Sequence, residues 1–208
     1  MSIQNIIFDY GNVIANIPQE MIQKTFSDLG FSNETLLMHH DQIRHLMHDF
    51  IDGIRPMDEV LYDIQKFCKE GTSLKKIKDT VTVLQGEIPK IRLQNIVQLK
   101  KKYKIYLLSN INEILWTNCE KRFAELGYLV SDLFDDTFLS FRIGIAKPDE
   151  HIYKQMIEQT GMIPEESLFL DDRVDNCEAA KKLGIQASWV KANEVESNAD
   201  YNRLIQSI

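Results

Sequence analysis

Apolar residues along the chain keep two rhythms. Short, nearly unbroken runs at residues 3–8, 105–108 and 168–170 read as buried strands of a parallel sheet, each handing polar residues to the loop at its C-terminal end. Weaker runs of the same kind lie at 137–140 and 187–190. Between the later runs, apolar positions recur at helical spacing over 91–102, 113–126, 150–160 and 175–183. The stripe Ile91, Leu93, Ile96, Val97 and Leu99 predicts a core-facing helix with no cofactor attached to it. Strand alternating with helix at this spacing predicts an α/β fold with a doubly wound, mainly parallel, Rossmann-like sheet.

Residues 17–88 break the alternation. They carry helical patterns at 19–29, 33–50, 57–68 and 73–84, punctuated by Gly30, Gly53, Pro56 and Gly71. The expected organisation is therefore a core domain made of residues 1–16 and 89–208, with a helical cap domain, 17–88, inserted after the first strand. Residues 15–18 and 86–89 would be its hinges. The polar tail from Lys191 onward is expected to end in a short helix.

Composition narrows the function. Of 208 residues 44% are hydrophobic and 26% charged, and the formal net charge is -7, which excludes a general affinity for nucleic acid or an anionic membrane. No apolar run approaches the roughly 20 residues of a membrane span. Cys68, Cys119 and Cys177 form neither a redox nor a metal pair, so the expected compartment is the reducing cytoplasm. Nothing in the sequence sets the oligomeric state.

In an open α/β sheet, ligands bind outside the C-terminal strand ends. The strand ends here offer Asp9, then Ser109 and Asn110, then Asp171 and Asp172. Carboxylates converging from separate strands repel one another unless a cation joins them. Hard oxygen ligands favour Mg2+, which keeps room for a substrate phosphate. Lys147 precedes Pro148, which restrains the residue before it and suits the first turn of a helix. Its ammonium would supply the positive charge that such a site needs.

Four segments in order, Ile6 to Val13, Leu107 to Asn110, Gly144 to Pro148 and Phe169 to Asp172, resemble the four motifs of the haloacid dehalogenase superfamily. The resemblance spans nearly the whole chain and implies the strand order 5-4-1-2-3. It also implies roles. Asp9 would be the nucleophile that forms an aspartyl-phosphate, and Gly11 would offer its backbone carbonyl to Mg2+. Ser109 and the backbone of Asn110 would hold phosphoryl oxygens, and Lys147 would stabilise negative charge. Asp172 would bind the metal directly and Asp171 through water. The Asp-x-Gly-Asn-Val pattern is similar to a bacterial branch of sugar-phosphate phosphatases, including ones acting on glucose 1-phosphate. The implied substrate is a small phosphorylated molecule.

One position departs from the family pattern. Phosphatases of this kind usually place an acid–base aspartate two residues after the nucleophile, where this chain has Gly11. Such a group is worth about 10² to 10⁴ in rate. Either the substrate has a good leaving group, the reading preferred here, or a cap histidine (His39, His40, His45 or His48) substitutes. Those histidines otherwise read as a solvated or packed helix face, Trp116 reads as core sooner than as a substrate platform, and Arg142 is undecided. A 2-haloacid dehalogenase and a binding-only member remain as alternatives. The first wants a tyrosine at position 11; the second would follow from the missing acid.

Overall fold

The computed structural model describes residues 2–31 and 38–191. Five strands form one parallel sheet: β1 (Asn5–Phe8), β2 (Lys104–Ser109), β3 (Asp136–Leu139), β4 (Ser167–Asp171) and β5 (Gln186–Trp189). Their order is β3-β2-β1-β4-β5, with β1 in the centre between β2 and β4. This is the expected order 5-4-1-2-3 read from the other edge.

β1 shows why the sequence folds this way. Ile6 and Phe8 face one side of the sheet and Ile7 the other, and none of the three is exposed. The same period of two places Ile105 and Leu107 in the first layer and Tyr106 and Leu108 in the second. Burial of each such side chain stabilises the fold by about 1.5–3 kcal/mol. A strand apolar on both faces can only lie inside a sheet covered on both sides.

The helices that follow the insert are α5 (Lys90–Leu99), α6 (Glu113–Glu125), α7 (Val130–Leu133), α8 (Ser140–Ile143), α9 (Glu150–Thr160) and α10 (Val174–Lys182). Two differences from the sequence reading have physical causes. Pro148 lies ahead of the first turn of α9, where Asp149 is the N-cap and its carboxylate accepts from the His151 N–H at 2.9 Å; the Lys147–Pro148 peptide is cis. In α5, Arg92 is buried, whereas Ile91, Val97 and Leu99 are only partly so. Its Nη1 donates to the carbonyls of Val13 (3.3 Å) and Ile14 (3.2 Å), acceptors that the loop after β1 would otherwise bury without this donor.

Before α5 come α1 (Gln19–Asp28), α2 (His40–Asp52), α3 (Met57–Gln65) and α4 (Leu74–Val81), with a 3-10 turn at Thr82–Gln85. The expected start of the second of these helices, at residues 33–37, and the tail helix beyond 191 lie outside the described residues. The insert is not a separate oil drop. Leu29, Phe50, Leu61 and Ile77 belong to the same buried cluster as Ile6 and Phe8 of the sheet. The chain leaves and re-enters the core through paired backbone: the Asn16 N–H donates to Glu87 O at 2.8 Å and the Glu87 N–H to Asn16 O at 3.0 Å.

The C-terminal end of α2 is pinned to core loops. Asn112 Nδ2 donates to Phe50 O at 2.7 Å, and Ser140 Oγ donates to Asp52 O at 2.6 Å. Gly53 ends the helix with φ +65°, and a Cβ there would stand 2.7 Å from Asn112 Cα. Gly161 ends α9 with the same φ, +65°, but has open space around it. The pair separates backbone strain from close approach. Gly161→Ala should cost about 1–2 kcal/mol, the left-handed penalty alone. Gly53→Ala should cost clearly more in urea unfolding, because core backbone blocks it. Equal losses would mean that α2 does not press on the core.

Candidate active site

The centre of the sheet ends in charge. β1 runs into Asp9, β4 ends in Asp171 with Asp172 next, and one carboxylate oxygen from each of the three lies within 4.8 Å of the others. Lys147 comes from the loop after α8 and buries its ammonium among them. Its Nζ donates to Asp9 Oδ1 (2.7 Å), Asp171 Oδ2 (2.7 Å) and Leu108 O (2.8 Å), and the side chain is 1% exposed. An ammonium has three donors, and all are used. Burial alone would pull Lys147 down, but Asp171 and Asp9 outweigh it, so it sits above its ordinary value and stays charged.

The three carboxylates are not equivalent. Asp171 is saturated: Oδ1 accepts from the Arg173 N–H (2.8 Å) and Asn176 Nδ2 (3.0 Å), and Oδ2 from Lys147 (2.7 Å) and again Asn176 Nδ2 (3.1 Å). Asp9 and Asp172 each keep an oxygen without such a donor among the described residues. Lys147 holds only Asp9 Oδ1, and Asn12 Nδ2 holds only Asp172 Oδ2, at 2.8 Å. Burial pushes Asp9 up to about 7, with Lys147 drawing it back and Asp171 and Asp172 raising it further. Asp172 is raised for the same first reason, burial, with the Asn12 hydrogen bond opposing.

These features fit a hard divalent cation. Two carboxylates have unengaged oxygens, burial raises their proton affinity, and Asn176 Oδ1 is buried with no hydrogen-bond partner. A water held by a cation would donate to that orphaned acceptor.

The other expected residues gather around this centre. Gly11, Ser109, Asn110 and Lys147 line the same cleft as Asp9 and Asp172. The Ser109 hydroxyl has no hydrogen-bond partner among the described residues, and the residue is 2% exposed. The helix-capping oxygen nearby belongs to Asn112, which accepts from the Leu115 N–H at 2.9 Å. The Asn110 side chain is structural: Oδ1 accepts from the Lys147 N–H (2.8 Å), and Nδ2 donates to Lys147 O (2.9 Å) and Asp52 Oδ1 (3.0 Å).

Two site residues escape the sequence reading. Asn12 adopts φ 56°, a left-handed conformation that asparagine tolerates, and its Oδ1 accepts from the Ile17 N–H at 3.0 Å while Nδ2 orients Asp172. Its position after Gly11 was the available signal. Asn176 lies one turn into α10, five residues past Asp171, and no local pattern marks it. Of the cap histidines, His40 and His48 line the cleft, together with Arg44 on the same face of α2; His39 contacts Gln42 and Phe67, and His45 contacts its own helix. No histidine joins a potential metal cluster among the described residues. Trp116 is core, 2% exposed against Phe123, and Arg142 lies over its ring at 5.9 Å, outside the cleft lining. Tyr10 lies along the cleft, with its hydroxyl donating to Gln85 O at 2.8 Å.

Known proteins resemble this chain in sequence and fold. A D-ribitol-5-phosphate phosphatase from Bacteroides thetaiotaomicron is 28% identical over 203 residues, covering 97% of this chain and 96% of that protein. A crystal structure of a HAD family enzyme from the same organism matches with a TM-score of 0.86 at 32% identity, covering 96% of this chain and 98% of that one. The wild-type form of that enzyme in complex with magnesium and inorganic phosphate matches with a TM-score of 0.83 at 31% identity, over 95% and 99% of the two chains. The profile of the haloacid dehalogenase-like hydrolases matches residues 3–184. This chain belongs to the haloacid dehalogenase-like hydrolase family.

Proposed function

We propose that the protein is a Mg2+-dependent phosphatase of a small phosphorylated metabolite, a sugar or polyol phosphate, working through a phosphorylated Asp9. The observation that carries this reading is the unequal engagement of the three carboxylates: Asp9 and Asp172 each keep an oxygen for a cation, while Asp171 is saturated by Lys147, Arg173 and Asn176. The relatives support it, since one is named for D-ribitol 5-phosphate and another was solved with magnesium and inorganic phosphate.

In this reading Asp9, the Gly11 carbonyl and Asp172 would hold Mg2+, while Asp171, its acceptor sites already filled, would orient Lys147 and Asn176 beside the ion instead of reaching it through water. The bound ion would neutralise phosphoryl oxygens and orient the phosphorus toward Asp9. Lys147 fixes the rotation of the Asp9 carboxylate and compensates its charge as the carboxylate oxygen attacks phosphorus. The ester P–O bond breaks, and the alkoxide leaves into the open cleft, where a solvent water donates a proton to it and the hydroxide so formed remains for the hydrolytic step. Ser109 Oγ and the Asn110 backbone N–H hold equatorial oxygens. Water then hydrolyses the aspartyl-phosphate, releasing inorganic phosphate and regenerating Asp9. The helical insert serves as a cap over this cleft. Its α2 presents His40, Arg44 and His48 to the leaving group.

Hydrolysis of p-nitrophenyl phosphate should require Mg2+, stop with chelator, and fall to background in Asp9→Asn. Chelator-resistant turnover, or an active Asp9→Asn, would contradict the reading. Gly11→Asp supplies the absent acid, and the backbone admits it: a Cβ would sit 3.4 Å from Ile17 Cδ1 and 3.8 Å from Asp9 Oδ2, in ordinary contact. Turnover of an ester with a poor leaving group should rise by about 10²-fold, with little gain on p-nitrophenyl phosphate. No rise would mean that the missing acid is not what limits the enzyme.

The raised proton affinity of Asp9 gives a pH dependence. Asp9, raised to about 7, holds a proton over much of the range below neutrality, and Mg2+ must displace it. Apparent Mg2+ affinity should therefore weaken as pH falls from 8 to 6, approaching about tenfold per unit below 7, and calorimetry in buffers of different ionisation enthalpy should show proton release. An affinity flat across that range would refute the assignment of Asp9 to the ion.

A further inference from the structure

The cleft has two unlike walls. Its floor, on the core, is polar: Asp9, Ser109, Lys147 and Asp172. The facing wall, from α1, α2 and the turns that follow α2 and α4, sets Ile22, Phe26, Met47, Ile51, Ile54 and Leu84 beside the polar side chains of α2. Ile22 is 37% exposed, Ile51 45% and Ile54 48%, so three large hydrophobic side chains that water reaches line the same cavity as the reactive carboxylate. Exposed apolar surface of this kind, contiguous with an acidic floor, marks a binding surface.

The wall is also held in place. Ser140 Oγ, Asn112 Nδ2 and Asn110 Nδ2 bind the last residues of α2, and Ile51 and Ile54 flank the pinned Asp52. At about 1340 Å³ the cleft exceeds the roughly 300–1,000 Å³ of most small-molecule sites.

We propose that the leaving group of the natural substrate carries an apolar body beyond its phosphate-bearing end, and that Ile51 and Ile54 select it. The inference rests on the phosphatase reading, which puts the phosphorus at Asp9, and it adds the chemical class of what lies on the other side of the ester oxygen. The occupant is a substrate group and not a second protein copy, because the apolar wall faces the reactive carboxylate across the same cavity.

The test is a series of n-alkyl phosphates from ethyl to hexyl, whose leaving groups share one basicity. In the wild type kcat/KM should rise by up to about fourfold per methylene, the transfer value of a buried CH2 group. In I51S/I54S the rise should flatten to less than about twofold per methylene. Ile163→Ser, at a residue 51% exposed and outside the cleft, should keep the wild-type slope. The thermal transition and Mg2+ affinity of each variant report its folding. A flat series in the wild type, an unchanged slope in I51S/I54S, or a change of oligomeric state in that variant would overturn the inference. If p-nitrophenyl phosphate remains intact with Mg2+ present, the phosphatase reading falls and this inference with it; its turnover beside alkyl esters that show no slope, or stay intact at every chain length, defeats this inference alone.

Discussion

One buried ammonium organises the catalytic end of this molecule. Lys147 joins Asp9 on β1, the Leu108 carbonyl on β2 and Asp171 on β4, so a single side chain ties together three adjacent strands at the point where their charges would otherwise repel. Removing one partner of a buried ion pair is strongly destabilising, about 3–5 kcal/mol, and here two anions would lose the same cation. Yet one ammonium cannot compensate three carboxylates. Burial, and then the repulsion among the carboxylates, raises the proton affinities of Asp9 and Asp172, and a divalent ion would relieve both. The site stores an electrostatic debt that ligand binding settles.

The same loop connects the charge centre to the insert. Asn110 follows Ser109 at the end of β2 and uses its whole amide to hold both backbone groups of Lys147 on one side and Asp52 of α2 on the other. Burial pushes Asp52 upward, with His48 and the Asn110 hydrogen bond pulling it back. Asn110 therefore sets both the aim of the lysine and the seat of α2, and one side chain positions the two walls of the cleft.

Much of this was legible because it is local. Four-residue apolar runs that end in Asp or Ser define strands and their reactive ends without tertiary information, and β1, β2 and β4 fall where the pattern put them. Gly11, as the missing acid, is equally plain. What the sequence hid is what depends on distant partners. Arg92 sits in an apolar stripe, and its inward turn follows from carbonyls of Val13 and Ile14 nearly 80 residues earlier in the chain. Asn176 matters because α10 starts one turn after β4, a distance that no motif encodes. On α2, the histidines were read as one group, but helical rotation sends His40 and His48 with Arg44 to the cleft and leaves His39 and His45 to local contacts.

The central claim is that Asp9 becomes covalently phosphorylated while Lys147 holds it in place. Rapid acid quenching during turnover, followed by peptide mass spectrometry, measures this most directly. The account predicts the mass of one phosphoryl group on the peptide containing Asp9, formed with Mg2+ and absent with chelator. Steady turnover with an unmodified Asp9 peptide at every quench time, or a phosphoryl group on a different residue, would contradict it.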